Sequence, residues 1–149
     1  MEVAELHGIL WRLIEADGLE IRHNARSTQP DPLESGFFHP DLYGFGPTIQ
    51  LWRNRADTVD DHAQEVVTLA HEYGHALSHR RGERPRLVMP KPAPDLTEVE
   101  KQMVEAEEAQ AWDYGRAVLK DLDPGYDFAL FVARKADADR EYTRRLGRT

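Results

Sequence analysis

Residues Thr68 to His79 read Thr-Leu-Ala-His-Glu-Tyr-Gly-His-Ala-Leu-Ser-His. His71 and His75 stand four residues apart, and on an α-helix such positions lie on one face, one turn from each other. Two imidazoles placed in this way can bind one Zn²⁺ ion. Glu72 lies about 100° round the helix from His71, where it can take a proton from a metal-bound water. The stretch therefore predicts two metal ligands and a general base.

The residues around this motif predict one long helix over 58–81. Asp57, Thr58 or Asp60 can cap its start, and Gly82 is a typical stop. On a helical wheel, an apolar stripe runs beside the polar strip that carries both histidines. The members of the stripe are Ala63, Val66, Val67, Ala70, Gly74 and Leu77. We therefore expect a largely buried helix, whose imidazoles and carboxylate need partners that a metal would supply.

Length and composition limit the classes of protein that this chain can belong to. With 149 residues, it is long enough for a sizeable core, and we expect a single domain over residues 1–149. The formal net charge of −8 disfavours direct nucleic-acid binding, which depends on a basic face. The absence of cysteine excludes disulfides and thiolate metal sites. No apolar run reaches the roughly 18 residues that span a bilayer, so we expect a cytoplasmic protein without membrane contact.

The remaining patterns predict an α+β fold. In chain order, the expected elements are a helix over 3–16, strands over 19–22, 37–39 and 48–52, the motif helix, a ligand helix over 97–121 and a closing helix over 126–146. Four prolines predict a stiff connector over 83–95. The strand over 48–52 directly precedes the motif helix. If its edge is exposed, it can pair with an extended substrate backbone, whereas a covered strand cannot.

The third metal ligand is not decided by spacing alone. Catalytic zinc normally keeps three protein ligands and one open position. A metzincin would place a histidine six residues after His75, but that position is Arg81. His79 shares the face of His75, but one helix cannot readily wrap three successive turns around one ion, so His79 is expected near the cleft or simply packed. The acidic stretch 104–112 offers Glu105, Glu107 and Glu108. We expect Glu105 and Glu107 on a solvated face, but the residues alone exclude none of the three, and one inward glutamate would suffice.

Two stretches resemble the ImmA/IrrE-type metallopeptidases, which are gluzincin-like. His71–His79 is similar to their His-Glu-x-Gly-His-Ala-Leu-x-His motif. Their third ligand is a glutamate in Glu-x-x-Ala-Asn-x-Phe-Ala, and Glu108–Gly115, which reads Glu-Ala-Gln-Ala-Trp-Asp-Tyr-Gly, is similar to that motif. The resemblance covers roughly residues 45–120. It implies Glu108 as the third ligand and a minimal zincin-like domain: N-terminal helix, small three-stranded sheet, active-site helix, ligand helix and C-terminal helix.

Trp112 departs from the family pattern, which has Asn or Asp at this position. A zinc-bound histidine usually donates its other N–H to an acceptor, and an indole can only donate. Asp113 and Glu105 are the candidate acceptors. A peptidase also needs a donor for the oxyanion. The candidates are His39, Tyr43, His79 and Tyr114, and the sequence does not choose among them.

The leading hypothesis is a zinc metalloendopeptidase that acts on a protein or peptide, with regulatory proteins among the candidate substrates. Glu72 would serve as its general base. The alternative is a catalytically silent zincin-fold interaction module with structural or absent zinc. An intact Glu72 argues against that module, because structural zinc needs no base. A DNA-associated zincin protease that acts on crosslinked proteins is disfavoured by the acidic balance and the lack of a basic run.

Overall fold

The computed structural model describes residues 1–25, 36–41, 44, 46–53, 59–81 and 95–148. Within these ranges, the helices are α1 (Val3–Ala16), α2 (Val59–Arg80), α3 (Glu98–Leu122) and α4 (Ala129–Arg145). The strands are β1 (Glu20–Ala25), β2 (Gly36–His39) and β3 (Thr48–Arg53). The α+β prediction is confirmed. The proline-rich connector falls almost entirely outside the described residues, and no helix within them is long and apolar enough to cross a bilayer.

The start of α4 differs from the prediction. The helix begins at Ala129 rather than at 126. The carboxylate of Asp127 accepts a hydrogen bond from the Ala129 N–H at 2.9 Å, a local side-chain contact of the kind that favours turns and helix starts. The aromatic rings of Tyr126 and Phe128 pack against each other edge-on, with centroids 4.8 Å apart, at the margin of the core. Tyr126 and Phe128 therefore belong to the turn that precedes the helix.

The sheet has the order β1-β3-β2, with β3 in the centre. β3 pairs in parallel with β1, where Thr48 faces Glu20, and antiparallel with β2, where Ile49 faces Phe38. The hypothesis that β3 offers an open edge to a substrate is therefore wrong, because both of its edges carry partners. Burial agrees with a central position: even Thr48 and Gln50, on the face opposite Ile49, are less than a tenth exposed.

The main core lies between α1, the sheet and α2, and α3 and α4 complete it. From α1, the core receives Leu6, Leu10 and Ile14, which stand four residues apart and so share one face of the helix. The other large members that are fully buried are Phe38, Ile49, Leu51, Val66, Val67, Leu69, Leu119 and Phe131. A second, smaller cluster joins α3 to the end of α4 through Leu96, Val104 and Leu146. Together these clusters pack α1, α3 and α4 against α2.

Helices α2 and α3 approach each other so closely that two glycines are required. A Cβ atom added to Gly74 would lie 2.0 Å from the carbonyl oxygen of Ala111. One added to Gly115 would lie 2.6 Å from the carbonyl oxygen of Ala70. Both distances are far inside van der Waals contact, so backbone packs on backbone at two successive turns. This crossing brings the motif of α2 against the acidic stretch of α3.

A polar link joins the end of α1 to α2. The hydroxyl of Tyr73 and the guanidinium of Arg80 both donate to Asp17 Oδ2, each at 2.6 Å. Partial burial raises the pKa of Asp17, but the hydrogen bonds from Tyr73 and Arg80 outweigh it and hold the pKa below the usual value. Burial and the Asp17 carboxylate raise the pKa of Tyr73, so its hydroxyl stays a donor throughout the working range of pH.

Gly74→Ala is expected to destabilise the protein by about 2–3 kcal/mol, because the new methyl group meets backbone that cannot move aside. Gly8→Ala is the matched control, since its Cβ would meet only the mobile end of Arg12, at 3.3 Å. Removing a helical glycine there should stabilise the fold by up to about 1 kcal/mol. Urea unfolding followed by circular dichroism measures both changes. Equal effects of the two substitutions would contradict the close crossing.

Asp17→Asn is expected to lower the stability by about 1 kcal/mol at pH 7. Because the pKa of Asp17 is lower in the folded than in the unfolded chain, its carboxylate stabilises the fold above the unfolded value of about 4. That contribution disappears as the pH falls through the folded-state pKa. Urea titrations between pH 7 and pH 3 should show the wild-type and variant stabilities converging at the acid end, whereas a constant difference would rule out this origin.

Candidate metal centre

Three side chains from α2 and α3 converge on one point. His71 Nε2 lies 3.2 Å from Glu108 Oε2, and His75 Nε2 lies 3.0 Å from Glu108 Oε1. One potential ligand atom from each of these residues lies within 4.8 Å of the others, and the group could hold a metal ion. Both imidazoles present Nε2 to the carboxylate, and they stand one turn apart on the same face of α2. The structure thus brings together the three residues for which ligand roles are predicted.

The chemistry of this group fits a divalent metal. Two imidazole nitrogens and one carboxylate are a ligand set found in catalytic zinc sites. The side chain of His75 is 4% exposed, and those of His71 and Glu108 are 13% and 14% exposed. Glu72 and Glu107 add two more buried carboxylates beside the imidazoles. Buried carboxylates need compensating positive charge, which a dication between the two helices would supply.

His75 and Glu108 each shift the pKa of the other. Burial on its own lowers the pKa of His75, but the carboxylates of Glu108, Glu107 and Glu72 together raise it to about 10. Burial likewise raises the pKa of Glu108, and the two histidines bring it well below its usual value. Glu108 is therefore ionised at neutral pH, as a metal ligand must be.

Glu72 lies beside the group, as the motif predicts for a residue one position after His71. Its side chain is 8% exposed, and its Oε1 lies 3.8 Å from His71 Nε2. It is not one of the three grouped ligands. A carboxylate next to the ligands, on the same helix but turned round its axis, is placed to exchange a proton with a molecule bound at the centre.

Glu107 is the first correction to the site. The prediction that it lies on a solvated face is wrong: its side chain is 7% exposed, and its Oε1 lies 3.3 Å from His75 Nδ1. Its carboxylate therefore lies within ion-pair distance of the His75 imidazole on the Nδ1 side, while Nε2 faces Glu108. The spacing held a signal for this position. Val104, Ala111, Gly115 and Leu119 form the buried stripe of α3, and residue 107 falls on that stripe.

The sequence suggested Asp113 and Glu105 as acceptors for the N–H of a zinc-bound histidine, and neither takes this role. Asp113 is exposed, because it lies on the outer side of α3. Glu105 is 43% exposed and accepts a hydrogen bond from Arg148 at 2.6 Å. On α3, Glu107 is thus the carboxylate behind His75. The physical reason is the helix rotation that Gly115 and Ala111 impose, since it turns residues 107 and 108 inward together.

Trp112 orients His71 by stacking. The two rings are 4.1 Å apart between centroids and inclined by 23°. Phe131 packs edge-on against the far side of the indole, with centroids 5.2 Å apart. Among the described residues, neither His71 Nδ1 nor Trp112 Nε1 has a hydrogen-bond partner, although both atoms are buried. A flat apolar contact therefore fixes the plane of His71.

The described candidates for oxyanion donor make contacts of their own. The hydroxyl of Tyr114 accepts from Arg81 at 3.2 Å, and the guanidinium lies over its ring. His79 is exposed, with its ring 6.1 Å from that of Phe38. His39 Nδ1 accepts from the backbone N–H of Asp41 at 3.0 Å. Tyr43 lies outside the described residues. The contacts of these side chains do not single out one of them as the donor.

Tyr142 on α4 is a contact of the site that sequence reasoning missed. Its hydroxyl donates to Glu108 Oε1 at 3.1 Å. The ring packs against the small cluster of Leu96, Val104 and Leu146. The signal in the sequence is weak: Tyr142 stands four residues before Leu146, on the same face of a helix end that is otherwise rich in arginine.

Comparisons with known proteins found no match to this chain. No family model, no curated protein and no solved structure matches it. The resemblance to ImmA/IrrE-type metallopeptidases stays a prediction, which rests on the motif at His71–His79 and on the stretch that begins at Glu108.

Glu107→Gln is expected to weaken zinc binding roughly tenfold, because the carboxylate behind His75 tunes the basicity and direction of that ligand. Glu105→Gln is the matched control, since Glu105 lies two residues away on α3 and pairs with Arg148 at the surface. It should leave the zinc affinity unchanged. Competition with a chromophoric chelator measures both affinities. Equal loss in the two variants would mean that charge on α3, and not the contact with His75, determines affinity.

Proposed function

We propose that this chain is a zinc-dependent metallopeptidase with a zincin-like domain, which hydrolyses peptide bonds in a protein or peptide substrate. The observation that carries the proposal is the grouping of His71, His75 and Glu108 with a buried carboxylate, Glu72, beside them. A purely structural zinc site needs four ligands and no base. Three ligands with an adjacent carboxylate are instead the composition of a hydrolytic centre.

The roles follow from the positions of the residues. A zinc ion at this centre would lower the pKa of a bound water and polarise the scissile carbonyl. Glu72 would take a proton from the attacking water and deliver it to the leaving amine. Burial of Glu72 beside His71 keeps bulk water from competing for that proton. Each of the three residues has a neighbour that restrains its orientation. Trp112 stacks on His71, Glu107 lies beside His75, and Tyr142 donates to Glu108.

The substrate class rests on the resemblance to ImmA/IrrE-type metallopeptidases and on the ligand set. Members of that family often cleave DNA-binding repressors, and the proposed substrate is likewise a regulatory protein. Direct binding of nucleic acid is not part of the proposal, because the formal net charge of the chain is −8. Whether the chain cleaves its partner or only binds it depends on Glu72.

Glu72→Gln is the variant that tests the proposal. Glutamine keeps the size of the side chain and its hydrogen-bonding capacity but cannot take a proton. Zinc content and melting temperature should stay near those of the wild type, while cleavage falls by roughly 10²- to 10⁴-fold. Glu108→Ala should lose zinc affinity and cleavage together, since it removes a ligand. A proteome-wide screen for new peptide termini, run with all three proteins, supplies the substrate.

The control for this screen is zinc occupancy, measured on each protein before digestion. If loaded wild type and loaded Glu72→Gln produce the same termini, Glu72 is not the base and the proposed mechanism fails. If neither produces termini while both retain the same bound partner, the chain is an interaction module.

A further inference from the structure

The two carboxylate oxygens of Glu108 have different surroundings. Oε1 accepts the hydrogen bond from the Tyr142 hydroxyl at 3.1 Å and lies 3.0 Å from His75 Nε2. Oε2 faces His71 Nε2 at 3.2 Å. A carboxylate oxygen that accepts a hydrogen bond has given one of its lone pairs to a proton and is the weaker donor to a metal. Tyr142 therefore makes Oε2 the better ligand atom.

Tyr142 is firmly held in this position. Its ring packs against the small cluster of Leu96, Val104 and Leu146, which joins α3 to the end of α4. Two residues after Leu146, just beyond the end of α4, Arg148 donates to Glu105 at 2.6 Å and to Glu98 at 2.8 Å, both on α3. The end of α4 is thus fastened to the helix that carries Glu108, and the hydroxyl keeps its register with the carboxylate.

We propose that Tyr142 is a positioning residue, which makes Glu108 bind a metal through Oε2 alone. This inference rests on the metal centre of the proposed function. Its consequence is chemical, because catalytic zinc keeps three protein ligands and one open position. If both oxygens of Glu108 bound the ion, the second would take the position that water needs. The hydrogen bond from Tyr142 would keep that position open, because it occupies a lone pair of Oε1 that would otherwise be available to the ion.

Tyr142→Phe tests this role, because phenylalanine keeps the ring in the small cluster and removes only the hydroxyl. The probe is Co²⁺ in place of zinc, since its visible absorption is strong with four ligands and several-fold weaker with five. The wild type should show strong absorption, and Tyr142→Phe should show the weaker spectrum once Oε1 also binds. X-ray absorption of the zinc-loaded proteins should show the coordination number rising by about one.

Tyr126→Phe is the matched control, since it removes a tyrosine hydroxyl at the turn before α4 while leaving the Glu108 contact in place. Its spectrum should equal that of the wild type. Identical spectra of wild type and Tyr142→Phe, both loaded with one Co²⁺, overturn the positioning role and leave the peptidase proposal standing. A changed spectrum in a protein whose wild type cleaves nothing supports the positioning role and counts against the peptidase. A wild type that binds no Co²⁺ overturns both.

Discussion

The contact on which the site depends is the crossing of α2 and α3 at Gly74 and Gly115. Because no side chain separates the two backbones there, the helices come close enough for imidazoles on one to meet carboxylates on the other. Glu108 lies one turn before Ala111, the residue against which Gly74 packs. A larger separation would leave the same polar groups buried without partners, which proteins avoid because of its cost in free energy.

Much of this arrangement could be predicted from local patterns. The spacing of His71 and His75 predicts a shared helical face, and alternation of apolar and polar residues predicts β3 as a strand. The order of the strands could not be predicted in this way. β1 pairs with β3 across 28 positions of the chain, from Glu20 to Thr48, and nothing in either segment alone specifies that partner. The central place of β3 in the sheet explains why both of its faces are buried.

The wrong prediction for Glu107 shows a second limit of local patterns. An acidic run is usually solvated, and this general tendency outweighed the specific position of Glu107 between Val104 and Ala111 on the buried stripe. The environment of His71 depended on Trp112, whose ring stacks rather than accepting a hydrogen bond. Tyr142 was missed for a different reason. Its contact with Glu108 spans 34 positions and exists only because the end of α4 folds back onto α3.

An ion bound at this centre would also act as a cross-link, because the residues that could hold it are far apart along the chain. His75 and Glu108 are 33 residues apart, so an ion held by both closes a loop of that length in any state in which it stays bound. By the relation used for disulfide bonds, closing such a loop lowers the conformational entropy of the unfolded chain, at a cost in free energy of about 4 kcal/mol. This cost grows only with the logarithm of loop length, so doubling the segment between α2 and α3 would change it by roughly 0.6 kcal/mol. A longer or shorter connector would therefore alter this entropy little, whereas a shift between the two helices would separate His75 from Glu108.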